Sequence, residues 1–281
     1  METRRNRNLR AGSMLALACS LPILLGACGS GSGSTGKAFH LIVIAMGQGG
    51  SSNAADLPNA AQFEKISTSF ALAPSSPAPP LRISASMLTG LTPGEHGAGN
   101  GPEGDSKLEA DQTPMAEYLV DHGYNTSAVL SSDCNMPPES GFNQGFGDYQ
   151  TIPGSAMDLA VLASDWIEHH YRQPFFVFVH MPVMAPAADA AAHGDEALGI
   201  LLKSLASHEL LDSALVVLRM PDGRLLIKAP GQRAAKADPR TVHDHHLPQL
   251  VLEHMALPVA AVRPNSYFTH PLPPLEIPAP Q

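Results

Sequence analysis

The chain has 281 residues, a formal net charge of −9 with histidine neutral, and three cysteines. This length is enough for one sizeable hydrophobic core, and the excess of acidic residues excludes the broad basic surface that nucleic-acid binding requires. Because Cys19 and Cys28 both lie near the N-terminus, Cys134 has no partner for a disulfide in the rest of the chain.

The N-terminus has the three parts of an export signal. Four arginines in residues 1–10 precede the apolar run MLALACSLPILLGA, and small residues lead into Cys28. The apolar run is too short to span a bilayer comfortably. Leu25-Gly26-Ala27-Cys28 resembles a bacterial lipobox, in which the cysteine is acylated and becomes the new N-terminus. The alternative is an ordinary signal peptide whose cleavage site happens to adjoin a cysteine.

The lipobox interpretation predicts both a location and a layout. The protein is expected in the bacterial cell envelope, attached to a membrane through acyl chains on Cys28. Glycine rather than aspartate follows that cysteine, which predicts sorting to the outer membrane, facing the periplasm. The predicted segments are an export signal at 1–27, a flexible Gly/Ser tether at 28–38, an α/β domain at 39–262 and a Pro-rich tail at 263–281.

From residue 39 onward, strand and helix patterns alternate. In chain order they are strand FHLIVIAM, helix PNAAQFEKI, strand FALAP, helix SASMLTGL, helix TPMAEYLVDHG, strand YNTSAVLSS, helix MDLAVLASDWIEHHY, strand PFFVFVHMP, helix DEALGILLKSLASHELL, strands SALVVLRM and RLLIKAP, and helix LPQLVLEHMALP. This alternation predicts a single α/β domain with a largely parallel central sheet covered by helices on both faces. The strands expected to be adjacent in that sheet are 39–46, 126–131, 174–181 and 214–219.

Several of these stretches follow the order found in one hydrolase superfamily. The longest are SASMLTGLTPGEHGAGNG at 84–101, TPMAEYLVDHGYNTSAVLSS at 113–132 and GDEALGILLKSLASHELLDSALVVLRMPDG at 194–223. With shorter matches between residues 39 and 258, they make the chain similar to the sulfatase and alkaline-phosphatase-like superfamily. The resemblance implies that fold for most of the chain that follows the export signal.

The resemblance also implies a chemistry. Members hydrolyse sulfate or phosphate esters with an oxygen nucleophile, which is a formylglycine, a threonine or a serine. Carboxylates at two strand ends hold Ca²⁺ or Zn²⁺, which activates the nucleophile and neutralises the charge that develops on the ester.

This chain departs from that pattern at the functional positions. Gly47 stands where the resemblance implies the first metal-binding aspartate. The nucleophile position falls on Pro80 in an ungapped match and on Ala78 if two residues are inserted, and neither residue can attack an ester. The second metal motif leaves the lone carboxylate of Asp222, and His180 is the one pocket position that matches.

A histidine-rich stretch, TVHDHHLP, raises the alternative of a different metal site. Imidazole and carboxylate groups suit Zn²⁺ or Ni²⁺. The candidate ligands are Asp222, His243, His245 and His246, next to Asp244 and with His180 nearby. The competing interpretation is an exposed polar run ahead of the last helix.

Two functions follow from these residues. The favoured one is a catalytically degenerate, lipid-anchored binding or accessory module without a cofactor, whose partner is an unidentified ligand or envelope protein. The alternative is an active periplasmic, metal-dependent hydrolase of sulfate or phosphate esters with a rewired site. The second requires a stoichiometric metal ion and the first requires none.

Overall fold

The structure, a computed structural model, describes residues 39–47, 57–73, 79–100, 107–108, 110, 112–181, 187–255, 257 and 272–273, with side chains omitted for 187–191. They all lie in one compact unit, Gly36–Gln281. The predicted export signal and tether, including Cys28, lie outside the described residues, as do Ala78 and all but two residues of the predicted tail.

The described residues form one sheet of eight strands. The strands are β1 Leu41–Ala45, β2 Thr68–Leu72, β3 Asn125–Ser131, β4 Asp148–Ile152, β5 Phe175–His180, β6 Leu215–Arg219, β7 Arg224–Lys228 and β8 Lys236–Val242. Their order across the sheet is β4-β3-β5-β1-β6-β7-β2-β8. All neighbouring strands are parallel except that β7 runs antiparallel to β6 and β2.

The centre of the sheet is the part that the sequence predicts best. The strands β3, β5, β1 and β6 are adjacent, which confirms the predicted parallel core of the sheet. Every residue of β1, β5 and β6 is buried. An unbroken apolar run is the pattern expected of a parallel strand that is covered on both faces.

Helices cover the two faces of the sheet. They are α1 Pro58–Glu64, α2 Pro80–Thr89, α3 Pro93–His96, α4 Met115–Asp121, α5 Ala156–His170, α6 Ala187–Ser207, α7 Leu210–Ser213 and α8 Leu247–Met255. Apolar residues of α2, α4 and α8 pack on one face of the sheet, and those of α1, α5 and α6 pack on the other. This confirms the predicted fold class. No helix in the described ranges combines the length and the apolar composition needed to cross a membrane.

Helix α2 begins four residues earlier than its sequence pattern suggests. Pro80 occupies the first helical turn, where its missing N–H costs nothing and its fixed φ suits the helix. The helix ends at Gly90, whose φ of 70° is the left-handed conformation that favours glycine. One of the two predicted nucleophile positions, Pro80, is therefore the residue that starts this helix.

A carboxylate from α6 caps the N-terminus of α1. Asp195 accepts hydrogen bonds from the backbone N–H groups of Asn59 and Ala60, at 2.9 and 2.8 Å, and from the Asn59 side chain at 2.9 Å. The residue that precedes α1, Leu57, has no polar side chain for this purpose. Asp195 is only 1% exposed and fixes α1 against α6.

Candidate active site

The candidate site lies where β1, β5 and β6 end. Ala45 of β1 is in register with His180 of β5 on one side and with Arg219 of β6 on the other. Both polar side chains point to the face covered by α2, and two strand spacings place them roughly 10 Å apart. We call this end of the sheet the rim.

A buried ion pair closes one side of the rim. The Arg219 Nε donates to Asp244 Oδ1 at 2.7 Å, and Nη2 donates to Oδ2 at 3.3 Å. The side chains of Arg219 and Asp244 are 4% and 15% exposed. Asp244 begins the 3₁₀ turn Asp244–His246, which leads directly into α8. The pair therefore joins the end of β6 to the start of α8.

On the other side of the rim lies His180, a buried histidine without charge. The Nδ1 atom of His180 lies 2.6 Å from the Ser84 hydroxyl of α2. Burial lowers the pKa of His180 to about 3, and the positive charge of Arg219 lowers it further in the same direction. The imidazole is therefore neutral at physiological pH and bonds to the helix that covers it.

A second serine–histidine pair lies between α2 and α3. His96 Nδ1 accepts a hydrogen bond from the Ala98 N–H at 3.1 Å, so the neutral ring carries its proton on Nε2. That atom lies 3.1 Å from the Ser86 hydroxyl and donates to it. Burial, then Arg82, lowers the pKa of His96 to about 4. Because Nε2 already holds the proton, His96 cannot take a proton from Ser86 as a general base would.

The loop after α3 lies against the first turn of α2. Arg82 Nη2 donates to the Gly99 carbonyl at 3.0 Å, whereas the buried Arg82 Nε has no hydrogen-bond partner among the residues described. Gly99 has a φ of +71°, and a Cβ there would lie 3.4 Å from the Arg82 Cβ. The backbone conformation therefore favours glycine, whereas a Cβ would be only in van der Waals contact with Arg82.

The three histidines of the predicted cluster lie close together directly before α8. The ring centroids of His245 and His246 are 4.3 Å apart, and those of His243 lie 5.1 and 5.5 Å from them. His245 and His246 lie in the 3₁₀ turn Asp244–His246, which His243 precedes. His246 Nδ1 accepts a hydrogen bond from the His243 N–H at 3.1 Å. Within the described part of the chain, no three His, Cys, Asp or Glu side chains are arranged to hold a metal ion.

Asp222 does not join His180. It lies in the turn between β6 and β7, where its carboxylate accepts from the backbone and side chain of Arg224 at 3.1 and 2.8 Å. Arg224 also binds Glu64 at 2.7 Å, and Glu64 belongs to α1 on the opposite face of the sheet. The structure thus places Asp222 in a surface network on the α1 side, away from the α2 side where His180 points.

Neither Gly47, at the predicted first metal position, nor the free cysteine Cys134 offers a reactive group. Gly47 follows β1 beside the end of β6, where the Met46 N–H donates to the Arg219 carbonyl. Cys134 is buried, and burial raises the pKa of its thiol to about 12. A thiol in that state is a poor nucleophile.

The dication implied by the resemblance does not fit the described residues of the rim. Gly47 offers no side chain, Asp222 is engaged on the other face, and Asp244 already neutralises a guanidinium. A cation bound at Asp244 would face the positive charge of Arg219 at close range. The described residues of the rim therefore lack the anionic oxygens that Ca²⁺ requires, and among them no three His, Cys, Asp or Glu side chains are arranged to bind Zn²⁺.

Sequence reasoning missed the role of Arg219, although a signal was present. Arg219 follows the apolar residues 214–218 in the predicted strand SALVVLRM, and a charge in a buried strand needs a partner. Sequence reasoning also did not pair Ser84 with His180 or Ser86 with His96. Those contacts depend on how α2 lies across the sheet.

Comparison with known proteins relates the fold to solved structures. The sequence matches no protein-family model and no curated protein. A protein of the alkaline phosphatase superfamily from Vibrio parahaemolyticus has a TM-score of 0.64 and 17% identity, over 79% of this chain and 67% of that chain. The sulfatase PsFucS1 from Pseudoalteromonas sp. has a TM-score of 0.63 and 13% identity, over 83% of this chain and 70% of that chain. The lipoteichoic acid synthase LtaP from Listeria monocytogenes has a TM-score of 0.58 and 13% identity, over 80% of this chain and 74% of that chain.

At these identities the likeness concerns the fold. It agrees with the resemblance read from the sequence and with the eight-stranded, mostly parallel sheet between two helical layers. The domain of this chain therefore has the sulfatase-like fold of the alkaline phosphatase superfamily.

Proposed function

We propose that the protein is a sulfatase-like lipoprotein of the bacterial cell envelope that has lost ester hydrolysis and serves as a binding or accessory module. The observation that carries the proposal is the Arg219–Asp244 ion pair at the rim. Metal-assisted hydrolysis needs anionic ligands there, and this carboxylate is already bound to a protein cation.

The state of the candidate nucleophiles among the described residues supports the same conclusion. Pro80 has no nucleophilic atom and starts α2. Ser84 and Ser86 on that helix are buried, at 0% and 3% exposure. Ser86 accepts a hydrogen bond from His96 and gives it no proton. His180, which lies 2.6 Å from the Ser84 hydroxyl, is a weak base because burial lowers its pKa to about 3.

The alternative function is a hydrolase that uses the histidine cluster. It is favoured by one observation, the ring separations of 4.3–5.5 Å among His243, His245 and His246. It requires a bound metal ion and a water nucleophile, because the described residues near the cluster include no activated side chain. The assay below is designed to separate the two functions.

The location in the cell is proposed from residues 1–38 alone. Acylation of Cys28 would attach the protein to the outer membrane, with the domain facing the periplasm. The partner would be an unidentified ligand or envelope protein.

Ester turnover tests the proposed function. The detergent-solubilised protein should release no 4-nitrophenol from 4-nitrophenyl sulfate or 4-nitrophenyl phosphate above the buffer rate, whether Ca²⁺, Zn²⁺ or EDTA is present. The His245→Ala variant and the control His254→Ala, which alters a histidine of α8 outside the cluster, should behave in the same way. Metal-dependent release that His245→Ala abolishes and His254→Ala retains would overturn the proposal and establish the hydrolase.

A further inference from the structure

The end of β6 carries a charge in a place where the strand is otherwise apolar. Leu215, Val216, Val217 and Leu218 are fully buried, and Arg219, which follows them, is 3% exposed. A buried guanidinium is strongly destabilising unless it is paired and hydrogen-bonded. The position of Arg219 therefore needs a specific electrostatic explanation.

We infer that Arg219 is a built-in cation that replaces the dication of a metal-dependent rim. The guanidinium binds the carboxylate of Asp244 through two hydrogen bonds, at 2.7 and 3.3 Å. This planar, two-point geometry matches a carboxylate closely and satisfies both oxygens. In this way the Arg219 side chain supplies the positive charge that the resemblance to metal-dependent hydrolases assigns to a bound ion.

As a consequence, the ion pair connects the end of β6 to the start of α8. Asp244 starts the 3₁₀ turn that enters α8 at Leu247. The apolar side of α8, which includes Leu250 and Val251, packs in the same core cluster as the inner residues of α2 and the sheet. By holding Asp244, Arg219 fixes the start of α8 against the sheet with a protein cation in place of a metal ion.

The chain contains a matched control for this ion pair. Arg233 donates to Asp212 at the same 2.7 Å, but the two side chains are 77% and 60% exposed. Exposed pairs of this kind contribute little to stability, whereas breaking a buried pair leaves an uncompensated charge. The two pairs therefore separate the effect of burial from the effect of simple proximity.

A double-mutant cycle with a chelator arm tests the inference. Arg219→Met and Asp244→Asn should each lower the melting temperature by about 10 °C, and the double variant should lose much less than the sum. Arg219→Lys keeps the charge but loses the planar two-point hydrogen bonding of the guanidinium. Its melting temperature should lie between those of the wild type and Arg219→Met. Arg233→Met and Asp212→Asn should each shift the melting temperature by only about 2 °C or less. EDTA should leave the wild-type transition unchanged.

Two results would overturn the inference. One is strict additivity of the Arg219 and Asp244 variants, which would mean that the ion pair is not a coupled unit. The other is a fall in the wild-type melting temperature with EDTA that added Ca²⁺ or Zn²⁺ restores. The chelator measurement needs no variant and holds even if Arg219→Met fails to fold. Ester turnover decides the proposed function separately, so failure of one does not imply failure of the other.

Discussion

Lowering the pH from 8 to 5 should destabilise the domain, because two histidines are buried in their neutral form. Burial lowers the pKa of His180 to about 3 and that of His96 to about 4, whereas the unfolded chain has ordinary values of about 6.5. At pH 5 the unfolded chain binds nearly one proton at each position and the folded protein binds almost none. Linkage then gives a loss of about 2 kcal/mol per histidine.

The direction of the effect follows from which state binds the protons. The stabilising contribution is fully present above pH 6.5 and declines as the pH falls toward the folded-state values of about 3 and about 4. Together the two groups should lower the free energy of unfolding by about 4 kcal/mol at pH 5. His40, whose pKa is also lowered by burial, acts in the same direction.

Urea unfolding followed by circular dichroism at pH 8, 6 and 5 measures this loss. His180→Gln and His96→Gln remove the titrating groups, so each should reduce the difference between pH 8 and pH 5 by about 2 kcal/mol, although each also lowers stability at pH 8. His169→Gln is the control, because His169 is exposed and burial does not hold it neutral. If both buried variants keep the full wild-type pH dependence, the assignment of neutral buried histidines is wrong.

Three further changes have defined outcomes. Asp195→Ala should lower the free energy of unfolding by about 3 kcal/mol in urea titrations, because two N–H groups of α1 lose their acceptor. Asp195→Asn should lower it by less, and an equal loss for the two variants would argue against a cap that depends on charge. Gly99→Ala should cost about 1–2 kcal/mol at its φ of +71°, whereas Gly94→Ala, which meets open space, should not destabilise; a neutral Gly99→Ala would exclude strain there. Cys28→Ser should move the protein from the detergent phase to the aqueous phase in Triton X-114 partitioning, and a wild-type protein already in the aqueous phase would refute the lipid anchor.

The interior of the sheet was predictable from sequence because burial on both faces leaves a clear pattern. The strands β1, β5 and β6 are short runs that are apolar up to the polar residues, His180 and Arg219, at which β5 and β6 end. The edge strands β4 and β8 were missed because none of the β4 residues is fully buried and most β8 residues are exposed, and because β8 contains Pro239, which central strands avoid. Their positions depend on the neighbours with which they pair.

The site was predictable as a place but not as a set of contacts. The strand ends and the histidine stretch pointed to the rim, and His180 lies there. Arg219 was overlooked because its partner, Asp244, is 25 residues away in sequence. Asp222 was expected to join His180, but its carboxylate binds the nearby backbone and side chain of Arg224 instead. Short-range hydrogen bonds of this kind are strong in turns and leave little trace in a motif comparison.

Metal content tests most directly whether the protein holds a catalytic dication, for which the described residues of the rim provide no ligand set. Protein purified without chelators and incubated with Ca²⁺ or Zn²⁺, then freed of unbound ions, should contain far less than one ion per chain by mass spectrometry. Calorimetric titration with either ion should show no saturable binding in the micromolar range. One tightly bound ion per chain, lost in His245→Ala or in Asp244→Asn, would contradict the account and return the protein to the metal-dependent hydrolases.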